Sequence, residues 1–472
     1  MKAVSIVFFL ISICLLPFCL FSQNSINQGN FFIQNYNEKD YNTPENQTWA
    51  IVQDNNGIMY FGNNNGVLEF DGAKWNLYEI PNKSTVRSLA FDSLENVLYV
   101  GAVGELGYLE ADNSGTLKYV SLVEKIPENY RNFEDVWQIN VLNEQIIFRT
   151  TTHIFKLEKT RIKTYIPEDR FHTGFCVNNQ FYVREWGKGL YKLENDNLIF
   201  IGQSGIFSNE RIYAMLPYRN NKILIATRTQ GIYIFSPNSE IQKFIKPRKF
   251  QTVNNFLIKN QAYCGINLDE NKFIIGTLQE GLIIFDGDGK IIQLLNKRSG
   301  LINDHVLSIN KDIHNNIWVG LNNGISYILF NSPFSFFNEN NGLEGTIYTV
   351  KIYNNVLYVG TSQGLYVKDN YNTFSLIENT KGQSWNLVEL NNDLLLTHSY
   401  GIFVIKENHA ENILPNVGTA WNINEIKNSP YQIVGIKNGL FILEFTGKKW
   451  KPKHKVKGFN EYSRYLQIDN EN

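Results

Sequence analysis

The chain has 472 residues, of which 43% are hydrophobic and 14% aromatic, so it can fill the cores of two or three ordinary domains. Its formal net charge is −1. That balance excludes a basic footprint of the kind that holds nucleic acid or an anionic membrane.

Residues 1–22 read as an export signal rather than as part of a fold. Lys2 is followed by the apolar run Ala3 to Phe21 and then by Ser22-Gln23. A basic start, an apolar core and a small residue at the boundary are the parts of such a signal. Cleavage after Ser22 is expected; an uncleaved anchor is the alternative, because the run is just long enough to cross a bilayer. Cys19 follows Pro17-Phe18, too bulky a context for lipid attachment. Two of the four cysteines, Cys14 and Cys19, belong to this signal. Cys176 and Cys264 remain and are expected to be buried free thiols. The mature chain has no Cys-x-x-Cys or His-x-x-x-His pair, so neither a structural metal nor a cofactor is expected.

From there the sequence repeats. An apolar alternating stretch, a polar turn, a strand ending near a glycine and a further strand recur ten times, anchored at Gly62, Gly101, Thr150, Glu185, Ala226, Gly276, Gly320, Gly360, Thr397 and Gly435. The intervals run from 35 residues (Thr150 to Glu185) to 50 (Ala226 to Gly276). That length holds four short strands, one blade of a propeller. No useful length shows helical periodicity. In the second unit, Val86 to Phe91 reads as the first strand, lining the central channel. Val97 to Val100 is the buried second strand, Gly107 to Glu110 opens the third, and Thr116 to Val120 is the outer one. The expected fold is all-β.

Seven units end at Gly320, and the rhythm breaks at Pro333-Phe334-Ser335-Phe336-Phe337. We expect a seven-bladed propeller over residues 30–332 and a partial second one over 333–472, with three blades and the start of a fourth. Phe31 to Tyr36 is expected to supply the missing outer strand of the seventh blade and latch the ring. The chain stops at Asn472 in the turn before the second strand of an eleventh unit. Three blades leave an open edge, so a fragment or a truncated reading frame is expected.

The phrase Asp312 to Ile325, of the form Asp-x-x-x-x-Ile-Trp-Val-Gly-x-x-x-Gly-Ile, resembles the two-component regulator propeller repeat. Gln53 to Gly62 with Leu68 to Gly72, Val183 to Leu190, and Arg211 to Tyr218 are similar to it. Together they resemble the exported sensor half of bacterial regulators that carry two propellers, a triple-tyrosine domain, a membrane helix and a cytoplasmic histidine kinase or LuxR-type output. The resemblance covers Asn30 to Asn472, and the later modules are absent from this chain. It implies a periplasmic location. It also implies a homodimer formed through the absent domains, and membrane attachment only through them or through an uncleaved signal.

In a propeller the start of each first strand and the turn after each second strand share one face. First-strand starts carry Trp49, Arg87, Trp137, Arg211, Tyr348, Trp385 and Trp421; the turns carry Arg149, Arg184, Glu185, Trp186, Arg228 and His398. Aromatic rings offer a face to a sugar, and arginine offers forked donors to hydroxyls or carboxylates. The candidate ligand-binding residues are therefore Trp49, Arg87, Trp137, Arg149, Arg184, Glu185, Trp186, Arg211 and Arg228. Each has a structural alternative: a tryptophan packs between blades, and Arg184 and Glu185 pair with neighbours. His305, His314 and His398 read as ordinary surface or turn residues. Asp54, Asp92, Asp269 and Asp312 read as turn caps. Asp286-Gly287-Asp288-Gly289 resembles part of a calcium loop but has Lys297 where the twelfth-position glutamate belongs, so it reads as a hairpin. The expected function is non-catalytic sensing of a small molecule or oligosaccharide, a glycan breakdown product. A carbohydrate-cleaving propeller and a protein-interaction scaffold are the alternatives. Glycoside hydrolysis needs two facing carboxylates roughly 5–9 Å apart, and Glu185 has no evident partner.

Overall fold

A computed structural model describes residues 29–112, 116–142, 145–159, 161–239, 242–369 and 373–469; the expected export signal lies outside them. The described residues form ten four-stranded antiparallel sheets, one per repeat. Nine of them are built from four consecutive strands. In the second, Val86–Asp92, Val97–Ala102, Glu105–Ala111 and Leu117–Ser121 follow in order, close to the strands read from the sequence. The remaining sheet takes Val306–Lys311, Ile317–Leu321 and Gly324–Ile328 from one end of its unit and Ile33–Tyr36 from the other. Ile33 lies opposite Ile328 and Tyr36 opposite Ile325, which is the expected latch.

The sheets fall into two compact units, Asn30–Phe336 and a second from Phe337 onward. In the first, seven sheets follow one another with their first strands side by side. The cycle closes because Thr48–Gln53 contacts both Val86–Asp92 and Val306–Lys311. Apolar layers sit between successive sheets. Phe61, Trp75 and Trp318 pack between the last sheet and the first, with ring centroids 5.3 and 5.4 Å from Phe61. Fully burying each such ring contributes about 2–3 kcal/mol before chain entropy is charged against it. A single sheet has no second layer and so no core of its own.

The repeat's glycine has a steric cause. A β-carbon on Gly62 would lie 3.0 Å from the Val86 carbonyl, one on Gly101 2.6 Å from Val136 Cγ1, and one on Gly320 2.6 Å from the Thr48 carbonyl. Each of these atoms belongs to the start of the next sheet's first strand or its approach. The anchor glycine is thus the place where one sheet touches the next, and Gly320 carries the contact that joins sheet seven to sheet one. A hydroxyl repeats the same link: Ser88 Oγ donates to the Val136 carbonyl (2.6 Å), Thr173 Oγ1 to that of Ile212 (2.9 Å) and Ser308 Oγ to that of Thr48 (3.2 Å).

Three expectations need correction. The chain does contain a helix, Gln251–Asn260, between the fifth and sixth sheets. Val253 and Leu257, four apart, are buried on one face, and Asn254 Oδ1 accepts from the Ile232 amide at 2.8 Å. The helix occupies the longest interval of the repeat, where its one turn-spaced apolar pair was too short a signal. Secondly, the anchors of sheets three and four sit one residue earlier than read. Gln138 pairs with Arg149, and Arg184 pairs with Leu190, as Gly62 pairs with Val67. Arg149 and Arg184, not Thr150 and Glu185, occupy the glycine position. The turn readings for aspartate agree with the structure. Asp54 Oδ1 accepts from Asn56 and Ile58, and Asp312 Oδ1 from His314 and Asn316. Asp286 Oδ1 accepts from Asp288 and Lys290 across its hairpin. His398 is fully buried rather than a surface residue, its Nε2 3.2 Å from the Thr380 carbonyl oxygen.

Candidate ligand cavity

The first strands of six of the seven sheets carry a register shift at their start, between Thr48 and Ala50, Val86 and Ser88, Phe171 and Gly174, Ile212 and Ala214, Ala262 and Cys264, and Val306 and Ser308. The residue inside such a bulge is turned out of the pleat. Those residues are Trp49, Arg87, His172 (with Thr173 beside it), Tyr213, Tyr263 and Leu307; in the third sheet Trp137 stands just before its first strand. All seven line one cavity of about 570 Å³ in the first unit, a size suited to a small ligand. Repetition of one backbone device thus gathers side chains from as far apart in sequence as Trp49 and Leu307.

The lining includes Arg87, Arg149, Arg170 and Arg211, and no Asp or Glu. Arg87 lies between two rings, its guanidinium 4.1 Å from the Trp49 centroid and 5.0 Å from that of Trp137. Asp135 holds it there through a 2.6 Å ion pair. Trp49 Nε1 donates to Asn64 Oδ1 at 2.8 Å. These two tryptophans therefore present one face each to arginine, and the site uses them to orient a cation as much as to offer a flat surface. On the opposite wall Trp186 is overlain by Arg184 at 4.1 Å, Arg170 at 4.9 Å and Arg211 at 5.9 Å. Tyr213 and Tyr263 pack with centroids 4.8 Å apart.

Burial shifts the groups here. Arg149 donates to Gln138 Oε1 at 2.9 and 3.2 Å, a neutral acceptor, and desolvation lowers its pKa to about 9. The His172 imidazole is pushed down to about 2, first by burial and then by Arg149, Arg184, Arg211 and Arg170. It is neutral at any physiological pH. The thiols of Cys176 and Cys264 are free and raised to about 12 by burial, so neither is a nucleophile near neutrality.

Of the nine candidate residues, Trp49, Arg87, Trp137, Arg149, Trp186 and Arg211 line the cavity. Three do not. Arg184 is fully buried behind Trp186, where Nε donates to the Phe207 carbonyl at 2.9 Å and Nη2 to that of Ser208. Glu185 is buried and caps a turn, its Oε1 accepting from the Glu168 and Asp169 amides at 2.6 and 3.2 Å. Arg228 is held by Gln261 Oε1 at 2.8 and 2.6 Å.

No protein-family model matches the chain, and no curated protein does. Solved structures do. The extracellular domain of one hybrid two-component system of B. thetaiotaomicron superposes with a TM-score of 0.66 at 18% identity, covering 90% of this chain and 61% of that one. A second such domain from the same organism gives 0.51 at 16% identity, covering 91% and 61%. The chain thus shares their fold and spans about three fifths of their length. It is similar in fold to the same group of proteins that its repeat phrases resemble.

Sequence reading missed His172, Tyr213, Tyr263 and Arg170. Trp49 and Arg87 hold the same bulge position and were found, so the bulge alone does not explain the first three: the start of sheet five was placed two residues early, at Arg211, and no start residue was singled out in sheets four and six. The signal that finds them is spacing from the glycine position, since each lies one residue before the partner of that position. Arg170 stands in the turn before the fourth sheet, which no periodicity marks.

Proposed function

We propose that this chain is the exported, periplasmic ligand-sensing region of a bacterial signal-transduction regulator: a seven-bladed propeller followed by an incomplete second one. The ligand is derived from a glycan and sits at the mouth of the first propeller. The chain binds it without catalysis, and output passes to modules that related regulators carry beyond this segment, with pairing of two copies through those modules. The observation that carries this reading is the convergence of seven strand-start residues, mostly aromatic or basic, on one cavity with no lining carboxylate. A glycosidase needs a carboxylate pair, and Glu185, the one candidate, is committed to backbone amides. A passive scaffold has no need of such a cavity. The fold shared with extracellular domains of two-component systems supports a sensory role on the outer side of a membrane.

The test is a thermal-shift screen of oligosaccharides against the full chain, with a hydrolysis assay alongside. The expected outcome is stabilisation by one glycan class with no product released. Turnover of the stabilising sugar would contradict the reading.

A further inference from the structure

The cavity is electrically lopsided. On the side of sheets one to three, the charge of Arg87 is cancelled by Asp135. On the side of sheets three to five, Arg149, Arg170 and Arg211 line the wall, and among the described residues none of them is in an ion pair. Arg184 stands behind the same tryptophan, its Nη1 buried without a partner. The acids of this region are turned to other work. Glu185 caps the turn at Glu168 and Asp169, and Glu210 accepts from Thr229 through its backbone amide and hydroxyl. Asp169 and Glu210 lie close enough to act on Arg184, but neither lines the cavity.

Arg184, Arg170 and Arg211 lie 4.1, 4.9 and 5.9 Å from the Trp186 ring centroid; guanidinium groups gathered around one indole repel one another, and a neutral ligand leaves that repulsion in place. An anion relieves it. Arginine's planar fork also matches a carboxylate or sulfate oxygen pair, where two parallel bonds form at once. Arg170 is the exposed member and Arg211 the half-buried one, so both reach a ligand without moving the sheet behind them. Beside them the Tyr213–Tyr263 pair offers an apolar face that suits the C–H face of a sugar ring.

Building on the proposed sugar-binding role, we infer that the cavity selects an anionic sugar, with its carboxylate or sulfate group seated between Arg170 and Arg211 over Trp186 and its ring against Tyr213 and Tyr263. The anion stays at that wall because Arg87, the arginine on the other side of the cavity, is already paired with Asp135.

Isothermal titration of the full chain tests this with digalacturonate, galactose 6-sulfate, uncharged lactose and inorganic sulfate. An acidic sugar is expected to bind at least about tenfold more tightly than lactose, with affinity falling as salt rises. Whichever of the two acidic sugars binds better identifies the anion as carboxylate or sulfate. Arg170→Gln and Arg211→Gln are each expected to reduce that preference, read as the ratio of the acidic-sugar and lactose affinities, by about tenfold. Arg228→Gln, outside the cavity, is expected to change nothing. Equal affinity for charged and uncharged sugars would overturn the inference and leave the sugar site standing. Inorganic sulfate binding as tightly as either acidic sugar would overturn it too, as an adventitious ion only. Binding of none of the sugars would remove both the inference and the function it rests on.

Discussion

The two units are made from one repeat, yet the same strand position meets opposite surroundings in them. In the first unit Ile51, on the first strand of sheet one, is 7% exposed because sheet seven covers it. In the second unit Val350, at the matching place in Ile347–Tyr353, is 56% exposed, with Ile347 and Ile352 open beside it. Among the described residues of that unit, the sheet beginning at Ile347 has a neighbour on one face only. Burial here is a property of the cycle, not of the strand. The strand-start device is nonetheless kept in both. Tyr348, Trp385 and Trp421 occupy the bulge in the second unit, with centroids 4.6 and 4.5 Å apart. Arg464 lies 5.6 and 5.2 Å from the two tryptophans, much as Arg87 lies over Trp49 and Trp137. Arg87 is pinned by an aspartate, and among the described residues Arg464 is in no ion pair.

If closure is what separates the units, opening the cycle should hurt the first most. Deleting residues 30–37 removes the strand that completes sheet seven. We expect its melting temperature to fall by at least about 10 °C, while the second unit's transition is kept; an unmoved transition would break the comparison. Gly320→Val places side-chain atoms against the Thr48 carbonyl at the closing contact and should cost about 3 kcal/mol. Gly202→Ala, which meets nothing within 4 Å, should be neutral in the same denaturant titration. The matched pair Ile51→Ala and Val350→Ala sharpens the point: about 2–4 kcal/mol for the first, within about 0.5 kcal/mol for the second. Similar costs would show that the second unit's face is covered in solution.

The smallest expected effect is a pH dependence. His172 has its folded pKa pressed below the unfolded value, so the unfolded chain takes up the proton first. Stability from this residue is complete above pH ~6.5 and is lost as pH falls below that. Discounted for its partial exposure, the loss between pH 7 and pH 5 is about 1 kcal/mol. His172→Gln should flatten that part of the profile, which His153, His305 and His398, lowered in the same direction, then dominate.

What was legible in the sequence was whatever repeats. Gly62, Gly101, Gly276 and Gly320 mark contacts where a side chain will not fit, so they recur and set the period. The latch was legible because sheet seven was one strand short and Ile33–Tyr36 had no other partner. What was hidden depends on a one-residue register. In sheets three and four the glycine position holds arginine, and the anchor was read one residue late, onto Thr150 and Glu185. Glu185 then looked like a lone carboxylate at the mouth, when its place belongs to the turn. Tyr213 was missed because the start of sheet five was placed two residues early, at Arg211, and Tyr263 because it comes just after the unforeseen helix Gln251–Asn260. The tryptophans were found, but not that arginines would cover them, since a cation–ring contact between sheets leaves no pattern along the chain.

The most direct test is hydrogen–deuterium exchange of the full chain with and without digalacturonate. The account predicts simultaneous protection of the strand starts around Trp49, Arg87, Trp137, His172, Tyr213, Tyr263 and Leu307, with residues 338–469 unchanged. Protection confined to residues 338–469, or to one strand start alone, would contradict a site pooled from seven sheets.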